Sequence, residues 1–269
     1  MKNILNEIFE NKKRELQRAR KERPLEALME RAEGTPPPRD FVAAFRGGGT
    51  AVIAEIKFKS PSGQVVVPGN EAKVAEIAKI YQEGGAVAIS VLTEEKYFMG
   101  KLEYLRAARE AVELPLLRKD FILDPYQVYE ARAFGADAFL LIADYLDRES
   151  LETLITTGKK LGLAALVEVH SEESLLKAVD LPADLLGINN RDLKTLRIDL
   201  SATFSLMKNY AGALKGKIVV SESGIRTREE IVALEETGVR GFLIGTTLMK
   251  SAEPLRVLRE FTGCGAGVE

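Results

Sequence analysis

Eight short aliphatic runs, the amphipathic stretches between them and a repeated turn phrase predict an α/β fold, a (β/α)8 TIM barrel with extra N-terminal helices. Many of the runs are continuously apolar rather than alternating, as expected of parallel strands covered on both faces. The phrase recurs ahead of the second, fourth, sixth and eighth runs, as Gly84-Gly85-Ala86-Val87, Gly135-Ala136-Asp137-Ala138, Pro182-Ala183-Asp184-Leu185 and Gly238-Val239-Arg240-Gly241. Each copy ends a helix with Gly or Pro, turns tightly and enters a strand. An open doubly wound sheet would want a Gly-rich fingerprint after its first strand, and none follows there.

The elements follow in order. Over 4–21, Ile4, Leu5, Ile8, Phe9 and Leu16 share roughly one helical face among Lys, Arg and Glu. A second helical piece after Pro24 carries Leu25, Leu28 and Met29. It stops at Gly34-Thr35-Pro36-Pro37-Pro38, because proline cannot continue a helix. Asp40 then caps a short helix bearing Phe41, Val42 and Phe45, closed by Gly47-Gly48-Gly49. The strand runs are 52–56, 86–92, 115–117, 138–142, 163–169, 185–188, 218–220 and 241–244, with helical stretches between them and one after the last. One domain results: a helical extension over 1–50, the barrel over 51–262 and a flexible tail over 263–269.

Composition narrows the function. In 269 residues Lys plus Arg number 38 and Asp plus Glu 40, a net charge of −2, so no basic surface for nucleic acid dominates. One cysteine, Cys264, and one histidine, His170, leave no internal disulfide and no His/Cys metal set. No apolar run reaches membrane-span length, and Met1 leads into a charged amphipathic stretch rather than a signal peptide. The expectation is a cytoplasmic protein with no metal, no membrane and no nucleic-acid partner. Gly263-Cys264-Gly265-Ala266-Gly267 looks like part of a dinucleotide loop, but no helix can follow it.

Barrel enzymes carry their sites at the C-terminal ends of the strands. There the runs end in Glu55-Ile56-Lys57, Lys119-Asp120-Phe121, Glu168-Val169-His170, Asn189-Asn190-Arg191, Glu222-Ser223-Gly224 and Gly245-Thr246-Thr247. Any one of these charges can be explained as a solvated strand end. Lys57, Lys119, Glu55, Glu168, Glu222 and Asn189 arriving from five strands must instead be networked, since an unpaired charge in the mouth is costly. Lysines beside carboxylates suit general acid–base chemistry. Ser223-Gly224 and Gly245-Thr246, with Ser60 and Ser62 after the first run, suit a phosphate, which such barrels hold after strands seven and eight. Phe98 and Phe121 either pack or meet an aromatic substrate, and His170, with no nucleophile elbow to serve, is read as a rim residue.

At these residues the sequence resembles the indole-3-glycerol phosphate synthase family of tryptophan biosynthesis. The matching segments are Ile53-Ala54-Glu55-Ile56-Lys57 with Ser60-Pro61-Ser62, Ser90-Val91-Leu92-Thr93, and Leu117-Arg118-Lys119-Asp120-Phe121-Ile122. Further on come Leu166-Val167-Glu168-Val169-His170, Gly187-Ile188-Asn189-Asn190-Arg191-Asp192-Leu193, Ser221-Glu222-Ser223-Gly224-Ile225, and Leu243-Ile244-Gly245 with Leu248-Met249. The resemblance runs over nearly the whole chain.

It implies a lyase that converts 1-(2-carboxyphenylamino)-1-deoxyribulose 5-phosphate into indole-3-glycerol phosphate, carbon dioxide and water, with no cofactor. It further implies Lys119 as general acid, Glu168 as general base, and Lys57 on the substrate carboxylate or as a second acid. Glu55, Asn189 and Glu222 would position hydroxyls and keep the lysines protonated, with Arg191 orienting the network. Ser60, Ser223, Gly224, Gly245 and Thr246 would hold the phosphate, and Phe98, Phe121 and Leu193 the anthranilate ring. The partner is then a phosphorylated small molecule, and the chain a monomer or weak homodimer. Lys101 departs from the family's usual Ser, and Gly63-Gln64 lacks a lysine that many members insert before that glycine. A phosphoribosylanthranilate isomerase, which would want Cys/Asp or Asp/Asp at its strand ends, and a non-catalytic phosphate-binding barrel are the alternatives.

Overall fold

In a computed structural model, which describes residues 4–59, 66–192 and 195–264, eight parallel strands close into a barrel in sequence order. The chain enters through α1 (Ile4–Glu22), which buries Leu5, Ile8, Phe9 and also Lys12, with Leu16 partly buried. Helix α2 (Leu25–Gly34) follows from Pro24 and buries Leu28 and Ala32. Asp40 accepts a hydrogen bond from the Ala43 N–H at 2.8 Å, but the segment makes only one 3-10 turn, Ala43–Phe45, rather than the short helix expected. The three glycines that follow at once give it nothing to extend with.

Strand β1 (Ala51–Ile56) leads to α3 (Glu71–Glu83) and β2 (Ala88–Leu92), then α4 (Glu95–Phe98) and α5 (Glu103–Ala111) to β3 (Leu116–Lys119). Helix α6 (Pro125–Ala133), β4 (Ala138–Ile142), α7 (Arg148–Lys160) and β5 (Ala164–Val169) continue the wall. It closes through α8 (Glu172–Ala178), β6 (Leu185–Asn189), α9 (Ser201–Asn209), β7 (Ile218–Glu222), α10 (Arg228–Glu235) and β8 (Gly241–Ile244), with α11 (Thr246–Lys250) and α12 (Pro254–Thr262) last. Side-chain caps set several helix starts: Asn70, Asp124 and Asp147 accept from first-turn N–H groups, and Ser171 and Thr227 form capping boxes.

Four strands differ in their boundaries from the sequence reading for physical reasons. Strand β2 begins at Ala88 rather than 86, because Gly85 at φ 84° is still turning the chain. Strands β3, β6 and β7 run beyond their apolar residues: the ladder pairs Leu92 with Lys119 and Asn189 with Glu222. The polar side chains therefore stand on strand backbone, not on loops. Val66 and Val67, unusually apolar for a loop, pack against the layer between barrel and helices, and the Val66 N–H donates to Phe58 O at 2.8 Å.

Inside the barrel Ile53, Ala88, Leu117, Leu140, Leu166 and Val220 form one apolar cluster. Phe41 and Phe45 join it from the segment before β1, and Leu5 and Phe9 join it from α1. Because strand side chains alternate, the next inward position after Ile53, Leu117, Leu166 and Val220 is Glu55, Lys119, Glu168 and Glu222 respectively. The apolar filling thus gives way to charge within two residues.

The wholly buried Asp137 carboxylate, just before β4, takes hydrogen bonds from the Arg39 N–H (2.7 Å), the Leu116 N–H (2.7 Å) and Arg109 (2.6 Å). Asp137→Ala would strand all three donors and leave Arg109 unpaired. We expect it to cost about 3–5 kcal/mol, lowering Tm on the order of 10 °C. Chemical denaturation measures this; an unchanged midpoint would show that Asp137 anchors nothing.

Candidate active site

The cleft at the C-terminal mouth of the barrel contains every sequence-predicted site residue that the structure describes. Ser60 and Leu193 lie outside the described residues. At the end of β1 the Lys57 ammonium contacts Glu55 at 2.7 Å, both side chains almost buried. Across the mouth, Lys119 Nζ sits 2.8 Å from Glu168 and 3.3 Å from Glu222. Asn189 Nδ2 donates to the other oxygen of Glu168 at 2.9 Å, and Asn189 Oδ1 accepts from the Arg191 N–H at 2.9 Å. Hydrogen bonds thus link β3, β5 and β6, and the ion pair of Lys119 with Glu222 adds β7, through side chains alone.

Burial opposes the Lys119 charge, but Glu168, Glu222 and Glu55 outweigh it and hold the ammonium above the ordinary lysine value. The two carboxylates that flank it diverge. For Glu168 the cost of burial is overcome by the Lys119 charge and by hydrogen bonds from Lys119 and Asn189, so its pKa lies below the usual value. For Glu222 burial dominates, Lys119 offsets it only in part, and the Glu168 and Glu55 charges add to it, pushing the pKa up to about 8. Its Oε1 is buried without a hydrogen-bond partner and packs where only a glycine, Gly187, leaves room. Two acidic groups held in opposite protonation states around one lysine are the arrangement that acid–base catalysis needs.

The aromatic end of the cleft is made by Phe98 and Phe121, with ring centroids 6.1 Å apart. The opposite end is backbone. Ser223 (φ 68°) and Gly224 (φ 86°) turn left-handed in succession after β7, while Gly245 caps α11 and Thr246 opens it. Such turns and helix starts present N–H groups to an anion.

Arg191 lines the cleft: its guanidinium donates to Leu196 O at 3.1 Å and feels the Glu55 charge, and its backbone N–H reaches Asn189 Oδ1. Gly245 has a second duty. A Cβ there would collide with the Glu55 carboxylate, so a Gly245→Asp substitution would disturb Glu55 and Lys57 as well as the turn into α11. His170 is the rim residue expected, partly exposed, with Nδ1 at 2.7 Å from Asn189 O.

Sequence reasoning missed Ile4, Leu5 and Ile8 of α1 and Leu196 and Ile198 after β6, all of which line the cleft. The signal for α1 was present. An apolar stripe on a helix ahead of the barrel must cover something, and Phe41 and Phe45 already supply the segment before β1 with apolar cover. Among the described residues no three His, Cys, Asp or Glu side chains converge as metal ligands, and no helix is long and apolar enough to cross a membrane.

A family model described as indole-3-glycerol phosphate synthase matches residues 5–261. A Chromobacterium violaceum protein named indole-3-glycerol phosphate synthase is 45% identical over 258 residues, which cover 94% of this chain and 96% of that one. One of the same name from Acidithiobacillus ferrooxidans is 46% identical over the same shares. Among solved structures, 3-hexulose-6-phosphate synthase from Salmonella typhimurium superposes with a TM-score of 0.63 at 13% identity, covering 80% of this chain and 97% of that one. KGPDC from Streptococcus mutans gives 0.60 at 12% identity, covering 80% and 96%. At such identities these two speak for the barrel fold alone.

Proposed function

The chain belongs to the indole-3-glycerol phosphate synthase family, and from that premise we propose how its mouth residues carry out the reaction. It is a lyase of tryptophan biosynthesis, converting 1-(2-carboxyphenylamino)-1-deoxyribulose 5-phosphate into indole-3-glycerol phosphate, carbon dioxide and water. The observation that carries our reading of the site is Lys119 held between Glu168 and Glu222. As the ring carbon bearing the carboxylate attacks the ribulose carbonyl, Lys119 donates a proton to the forming alkoxide. Loss of carbon dioxide restores the aromatic ring. An ammonium then protonates the remaining hydroxyl, which leaves as water as Glu168, kept ionised, takes the anilino N–H proton; loss of a proton from the neighbouring methylene and return of one to nitrogen complete the indole.

Lys57, steadied by Glu55, meets the substrate carboxylate or serves as the second acid. Phe98 and Phe121 hold the ring, and Ser223, Gly224, Gly245 and Thr246 the phosphate, with Ser60 and Leu193 assigned to the phosphate and the ring by resemblance. The reading extends to a cytoplasmic enzyme working as a monomer or weak homodimer. It is tested by mixing the chain with this substrate in the presence of a chelator and following indole fluorescence. Steady turnover is expected, and saturable binding without turnover would favour a retired barrel.

A pH dependence follows from Glu222. Below about 8 it is protonated and leaves Lys119 chiefly to Glu168. Above that, a second carboxylate tightens the hold on the ammonium and weakens it as an acid, so kcat should fall on the alkaline side. The linked stability has the same sign: it is full below the ordinary value of 4.5 and lost as pH rises through about 8. Glu222→Gln should remove the alkaline limb from the pH–rate profile. A limb that persists in this variant would have to belong to another group.

A further inference from the structure

We propose that Lys12, on the helix ahead of the barrel, is a positioning residue for the aromatic end of the cleft, tying α1 to the end of β3 through Asp120. This rests on the reading of that end as the seat of the anthranilate ring. Lys12 lies among exposed Lys, Arg and Glu in the sequence, yet it is 6% exposed. Its ammonium sits 2.8 Å from Asp120 Oδ1 and 2.8 Å from Glu15.

Asp120 is itself 3% exposed and is the residue between Lys119 and Phe121. One of its oxygens also accepts the Phe121 N–H at 2.8 Å, and the other takes Thr93 Oγ1 at 2.6 Å and Arg118 at 3.0 Å. The Lys12 charge thus bears on the carboxylate that sets the backbone between the proposed acid and the ring contact.

A second carboxylate extends the effect. Glu94 is fully buried and caps α4 by accepting the N–H groups of Lys96, Tyr97 and Phe98, which fixes Phe98. Burial raises its pKa, and Lys12 is a charge that works against that rise. One turn earlier on α1, Phe9 shares the face of Lys12 and meets Phe121 edge-on, with centroids 5.2 Å apart. Glu7 Oε1 accepts the Tyr97 hydroxyl at 2.9 Å. Ile4, Leu5 and Ile8 on the same helix wall the cleft. The contacts that aim Phe98 and Phe121 therefore converge on α1, and Lys12 is its buried charged tie.

Binding geometry rather than proton transfer should suffer when this tie is cut. Lys12→Met is expected to raise KM about tenfold or more with kcat within about threefold, because a lost ground-state contact appears in KM. Tryptic cleavage inside α1, at sites such as Lys13, Arg14 and Arg18, should quicken by a similar factor while the barrel stays intact. Lys12→Arg, which keeps the charge, should restore KM. If the bare Asp120 carboxylate stops Lys12→Met from folding, Lys12→Met with Asp120→Asn removes that carboxylate's charge together with its partner and should show the same rise in KM.

Unchanged KM and unchanged cleavage of α1 would overturn the assignment. So would a fall in Tm alone, or a loss confined to kcat. A wild-type chain with no turnover would defeat the functional reading instead, and the proteolysis comparison would then decide whether Lys12 holds α1.

Discussion

Lys119→Met is expected to lower kcat by about two to four orders of magnitude, the range for removal of a general acid, and to leave the barrel folded. The strand ladder on both sides of β3 is made by backbone, so it does not need the ammonium. The two carboxylates left facing each other can share a proton, since Glu222 is already pushed up to about 8. Ring closure is the step lost, so carbon dioxide and indole should slow together. Lys119→Arg should rescue little, because a guanidinium does not release its proton near neutral pH. Indole fluorescence under saturating substrate measures the effect. Near-wild-type turnover would remove Lys119 from the mechanism.

The second large effect belongs to Glu168→Gln, for which we expect a fall of about two to four orders of magnitude in product formation. The amide keeps the shape, but its single oxygen can accept from only one of Asn189 Nδ2 and Lys119 Nζ, and the other then faces an NH2 donor. Lys119 then relies on Glu55 and on Glu222, which is relieved of the Glu168 charge that helped raise its pKa, and it remains an acid. Ring closure and decarboxylation should therefore continue, and only the step that needs a base should stall. Equal loss at every step would instead mean that Glu168 serves Lys119 rather than the substrate.

How far the sequence foretold this molecule differs from region to region. The barrel was legible because its strands are buried on both faces and read as unbroken aliphatic runs, and because Gly and Pro punctuate the helix ends. The proposed catalytic network was legible for a related reason: charge replaces aliphatic filling at the inward positions of four strands, and an asparagine joins it from a fifth. What escaped was what distant packing decides. Nothing local marks Lys12 as buried, because its partner Asp120 lies more than a hundred residues away. Likewise the hydrogen bond from the Arg191 guanidinium to Leu196 O depends on a loop carbonyl whose position the pattern of residues does not encode. A turn suited to a phosphate could be read at Gly245, but its close approach to Glu55 depends on the β1–β8 pairing and could be seen only in three dimensions.

The most direct measurement is a single turnover of Glu168→Gln in which released carbon dioxide and indole fluorescence are followed together. An acid at Lys119 and a separate base at Glu168 predict carbon dioxide at close to the wild-type rate, with indole appearing only after a long lag. Carbon dioxide and indole slowed by the same factor would contradict that division of labour.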